Sequence, residues 1–123
     1  MTIQEVIAQV DDLMPNQYTA EQKIRWLSTL DGKVWHEVIM THKGPAFAYY
    51  PFDGYDSDDA ELLVPAPFAE DVYGFYVKSR IAAENNEIAK YEQFSTLFNE
   101  AYKEFTAWWT RTHTPITSGR WRM

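Results

Sequence analysis

A stripe of six apolar residues constrains this chain more than any other feature. Tyr91, Phe94, Phe98, Ala101, Phe105 and Trp108 follow one another at steps of 3, 4, 3, 4 and 3 within Asn86–Thr112. That is a heptad spacing, and it places all six on one face of a helix. Leu97, Tyr102 and Trp109 widen the face beyond a narrow seam, while Glu92, Asn99, Glu100, Lys103 and Glu104 make the opposite face polar. At about 1.5 Å per residue such a helix runs roughly 40 Å. So much aromatic surface needs cover, either from other helices of the same chain or from another subunit. Periodicity alone leaves both open.

The preceding chain supplies candidates for that cover. Thr2 and Glu5 form a capping box ahead of Ile3, Val6, Ile7, Val10, Leu13 and Met14, and Pro15-Asn16 stops this first helix. Thr19 and Gln22 form a second box. The helical phase of Ile24, Leu27, Leu30 or Asp31, Val34 and Val38 predicts one helix over 20–42 with Gly32 inside it, marking a close crossing or a kink. Two shorter helices are the alternative. His42, Lys43, Gly44 and Pro45 read as its end. Pro65 and Pro67 are expected in the first turn of a third helix, with one face made by Phe68, Val72, Phe75, Tyr76 and Ser79–Ala83. Asn85-Asn86 is the natural turn into the fourth, so that Pro67–Ala83 would meet the stripe along its length.

Residues 44–66 carry no helical period. Phe47, Tyr49, Tyr50, Phe52 and Tyr55 predict a loop that packs down, and Leu62-Leu63-Val64 is too short to imply a sheet. After Thr112, Pro115, Ser118 and Gly119 predict an extended tail. The fold class is therefore all-α, a small bundle of about four helices with a long aromatic and acidic loop. The division is a helical domain, 1–113, and a C-terminal tail, 114–123.

Charge is distributed unevenly. All 18 acids and eight of the 11 basic residues precede Arg111, a net of −10; the last thirteen residues hold Arg111, Arg120 and Arg122 and no acid. Such a body repels a phosphate backbone, and the opposed tail suits docking on a neighbouring body. Trp121, between two arginines, calls for something to bury against. No run of eighteen apolar residues is present, so no membrane span is expected. The opening MTIQEVIAQVDD lacks the features of a secretion signal, and the absence of cysteine fits a cytoplasmic origin.

No catalytic constellation emerges. The chain has no thiolate nucleophile, no G-x-S-x-G elbow and no glycine-rich phosphate loop. His36-Glu37 lacks the second histidine that H-E-x-x-H requires. Asp53, Asp56, Asp58, Asp59 and Glu61 lack the third ligand and the glycine of a calcium loop. A solvated acidic loop is expected there, or carboxylates that face a channel or surface from which DNA must be kept. No enzymatic activity, cofactor or metal is expected.

The segments Lys23-Ile24-Arg25-Trp26-Leu27, Glu61–Phe68, Phe98-Asn99-Glu100-Ala101-Tyr102 and Arg111-Thr112-His113-Thr114-Pro115 carry a resemblance. The chain resembles the head-tail connector (adaptor, or head-completion) proteins of long-tailed bacteriophages. The resemblance implies a non-enzymatic helical protein of the virion, assembled in the host cytoplasm. It implies a ring, typically of twelve copies, beneath the portal protein, which extends the DNA channel without specific binding and meets the next tail component. Arg111, Arg120, Trp121 and Arg122 would then anchor on the portal or a neighbour. Trp108 and Trp109 lie where the stripe runs into that tail, and Trp and Arg are frequent interface hot spots. Asp53, Asp56, Asp58, Asp59 and Glu61 are the channel-facing candidates. The alternative is an acidic helical protein acting in a host cell, as a DNA mimic or a regulator of another protein.

Overall fold

A computed structural model describes residues 1–39 and 52–113. The predicted end of the second helix (His42, Lys43, Gly44, Pro45), the loop aromatics Phe47, Tyr49 and Tyr50, and the tail 114–123 lie outside the described residues. Four helices make up the described chain: α1 (Ile3–Leu13), α2 (Ala20–Val34), α3 (Ala69–Glu84) and α4 (Ile88–Thr112). The chain is all-α; Thr2 and Glu61 form an isolated bridge, and no sheet is formed among the described residues.

Both predicted capping boxes are present. Glu5 N donates to Thr2 Oγ1 at 3.2 Å and Thr2 N to Glu5 Oε1 at 2.8 Å; Thr19 and Gln22 reciprocate in the same way at 3.2 and 2.9 Å. Each box satisfies two of the amide donors that a helix leaves open at its start. These bonds hold the Glu5 carboxyl below its ordinary range, the Thr2 amide being the largest cause.

The helix through Gly32 is continuous, as the hydrophobic phase required, and it widens to π geometry only at Trp35–Ile39. Gly32 marks no tight crossing: an added Cβ would meet the Phe52 ring at 3.9 Å, an ordinary contact.

One boundary and one buried position differ from expectation. Pro65 and Pro67 precede α3 rather than occupying its first turn, because Phe68 N and Ala69 N both donate to Pro65 O and close a separate turn first. Leu13, expected on the buried face of α1, is 70% exposed. The helix ends there, and Met14 rather than Leu13 turns back to the core.

The core is built from Ile3, Val6 and Val10 of α1, Leu27, Leu30 and Val34 of α2, Val72, Val77 and Ile81 of α3, and Leu62 and Val64 of the linking segment. α3 is the central helix. It contacts α1 and α2 and packs along α4. Tyr73, left off the predicted face of α3, is therefore fully buried. Lys23 is also buried and pairs with Asp11 at 2.7 Å, tying α2 to α1.

The α3–α4 hairpin turns at Asn85-Asn86, with Asn86 in the left-handed conformation at φ 59°. α4 does run back along α3, but of the six stripe residues only Phe105 is buried. A two-helix hairpin closes its seam only where a third element fills the groove beside it. α2 faces α4 across a recess that Lys33 and Glu37 share with Phe98 and Tyr102, and beyond it the first half of α4 keeps an open face.

Candidate functional site

Three places carry the residues that sequence and structure single out. The first is the C-terminal end of α4. Phe105 and Trp109 are buried there, one turn apart, their ring centroids 5.9 Å from each other. The His113 ring stacks on Trp109 at 3.8 Å and 8°, and its Nδ1 lies 3.1 Å from Trp109 O and 2.9 Å from Thr112 Oγ1. Trp109 is thus a core residue of this chain. Trp108 is half-buried, with its ring 5.2 Å from that of Phe68, and Arg111 is exposed. A partner would reach Trp108 and Arg111 in this cluster. Arg120, Trp121 and Arg122 lie outside the described residues.

The second place is the acidic segment. Asp53, Asp56, Asp58, Asp59 and Glu61 are all exposed. Their backbone is nevertheless fixed. Ile3 N donates to Ala60 O at 3.1 Å, Gln4 N to Asp58 O at 2.8 Å, and Leu62 N to Met1 O at 2.9 Å. The segment therefore caps the start of α1 with carbonyl oxygens and sets its carboxylates beside the positive end of that helix. Among the described residues no group of three or more His, Cys, Asp or Glu side chains is placed to hold a metal ion.

The third place was only half legible beforehand. Asp31 shares the helical phase of Leu27, Leu30 and Val34 and is fully buried. Its Oδ1 accepts from Tyr73 Oη at 2.6 Å; its Oδ2 accepts from Leu63 N at 3.0 Å and also from Tyr55 Oη. Tyr73 Oη in turn accepts from Val64 N at 2.8 Å. Burial raises the Asp31 pKa, and the three donors oppose that rise. Burial together with the Asp31 charge pushes both tyrosines well above their ordinary value, so they remain neutral donors. The cluster joins α2, α3 and the segment between them. With its carboxylate fully enclosed, it holds the acidic segment against the bundle.

Beside it, an open recess of about 210 Å³ is lined by Lys33, Glu37, Tyr76, Phe98 and Tyr102, among others. Burial, the larger cause, and the nearby Glu37 and Asp31 carboxylates push the Tyr102 hydroxyl up to about 12. None of these places aligns a nucleophile with a base, and no described helix is long and apolar enough to cross a membrane.

Compared with family models, curated proteins and solved structures, the chain matches none.

Proposed function

We propose that this protein is a structural component that works by assembly, in the manner of the phage head-tail connectors it resembles. The observation that carries this reading is the open face of α4. Ile88 is 70% exposed and Tyr91 43%, and Phe94, Leu97 and Phe98 are only partly covered, along one regular helix. Apolar and aromatic area of this kind on one helix face suits burial against another protein surface.

In this reading α4 faces a second copy or the portal protein, and copies close into a ring. The carboxylates at 53–61 are held on a segment fixed at the start of α1. They would give the ring a negative surface along which DNA passes without sticking. Trp108 and Arg111 would stand where the tail reaches toward a portal or tail component.

The experiment is removal of the protein from the phage particle whose assembly it would serve. DNA-filled heads and free tails that fail to join, with a tagged copy located at the head-tail vertex in complemented particles, are the expected result. Complete particles lacking the protein overturn it. The five exposed carboxylates also fit a DNA mimic, and competition with duplex DNA for a host protein would favour that second reading.

A further inference from the structure

A groove beside α3 is used by none of the interactions described above. It is a recess of about 200 Å³ between the second half of α1 and the first half of α3. Leu13, 70% exposed, lines it together with Phe75 and Gly74, where an added Cβ would meet nothing within 4 Å. Glu70 and Asp71, both exposed, stand at the N-terminal end of α3. Lys78, the lining cation, sits some two turns away, with its ammonium 5.8 Å from the centroids of the Phe75 and Phe94 rings. The groove is therefore apolar in the middle and negative at one end.

We propose that this groove receives the Arg120-Trp121-Arg122 segment of the same chain, with Trp121 over Phe75 and Gly74 and the arginines beside Glu70 and Asp71. Charge complementarity is the first reason. The tail carries basic residues and no acid, and the groove opens at an acidic pair. Chain length is the second. The described chain ends at His113, and Trp108 touches Phe68, two residues before Glu70. The tail thus departs from the end of α3 at which the groove is acidic. Trp121 is eight residues beyond His113, a reach of roughly 26 Å when extended. From Glu70 to Lys78 the groove runs only about 12 Å along the helix. Occupancy by the chain's own tail needs no assembly, and a partner with a better surface for Trp121 could draw the tail out.

The chain has no cysteine, so Ser118→Cys in the full-length protein gives a single attachment point for a nitroxide. Backbone amide signals of the isotope-labelled protein then report proximity. The expected result is selective broadening of Leu13, Gly74 and Phe75, with Ile88 and Tyr91 at the far end of the hairpin spared. Added salt should weaken the broadening, and Trp121→Ala or the pair Glu70→Lys and Asp71→Lys should abolish it. Trp121→Ala lies outside the folded body and keeps the test valid if charge reversal disturbs α3. Absence of broadening in the groove overturns the proposal, as does broadening that survives both sets of substitutions. Broadening that appears only when spin-labelled and isotope-labelled chains are mixed also overturns it, and gives the groove to the tail of a second copy.

Discussion

Tyr73 donates its hydroxyl to Asp31 at 2.6 Å across 42 residues of sequence, and the same oxygen accepts the Val64 amide at 2.8 Å. One side chain thus fixes α3 to α2 and to the segment that leads into α3. Tyr73→Phe removes a donor from a buried carboxylate and an acceptor from a buried amide. The expected loss is about 3 kcal/mol, read from urea unfolding. A loss below about 0.5 kcal/mol would mean that water replaces both partners.

Asp31 also sets a pH dependence. Its pKa is raised in the fold, chiefly by burial, so the folded state binds this proton more tightly than the unfolded state. Its contribution to stability is therefore fully present below the ordinary aspartate value of 3.8 and declines as pH rises toward the raised value. Asp31→Asn lacks this titration. The stability difference, wild type minus Asp31→Asn, should shrink as pH rises from that ordinary value. A difference that grows with pH would show instead that the three donors outweigh burial.

Asn86 holds the α3–α4 turn at φ 59°. Asn86→Ala keeps a Cβ in the left-handed region but loses the short polar side chain that makes this conformation tolerable, and should cost about 1 kcal/mol. Asn86→Gly removes that penalty and should be close to neutral. Thermal melts of the two variants check the order; equal melting temperatures would show that the turn relaxes.

The two ends of the α4 stripe should respond in opposite ways. Phe105 is fully buried and Tyr91 is 43% exposed. Phe105→Ala should cost about 3–5 kcal/mol of folding stability. Tyr91→Ser should change monomer stability by no more than about 0.5 kcal/mol while impairing assembly. Trp109, enclosed by Phe105 and His113, should behave like Phe105, and the half-buried Trp108 should fall between. Unfolding curves and particle assembly, measured on the same variants, separate the two effects.

Deletion of 114–123 should preserve cooperative unfolding, because the described core lies wholly before it. The same deletion should block assembly, since it removes Arg120, Trp121 and Arg122. Particles that assemble normally with the truncated chain would remove the tail from the assembly role.

Helix existence and most helix limits were legible because they are local. Thr2 with Glu5 and Thr19 with Gln22 act within one turn, and Pro15 and Asn86 act on their own backbone, whatever the rest of the chain does. The start of α3 was misplaced because Pro65 closes a turn with Phe68 and Ala69 before the helix begins, an outcome that proline's helical compatibility does not exclude.

The sequence by itself determined four helices, a hairpin at Asn85-Asn86 and an acidic body with a basic tail. Only the tertiary structure decided which faces those helices bury. Tyr91 and Phe105 occupy equivalent positions in one heptad stripe, yet one is exposed and the other enclosed, because the rings of Phe68, Tyr102 and Trp109 close around Phe105 while Tyr91 stands near the turn end of the hairpin. Asp31 follows the same logic. A carboxylate in phase with three buried apolar residues is anomalous until Tyr55, Tyr73 and Leu63 arrive from elsewhere in the chain to satisfy it. Periodicity fixes the direction in which a side chain points from its helix; burial depends on what the rest of the chain places there.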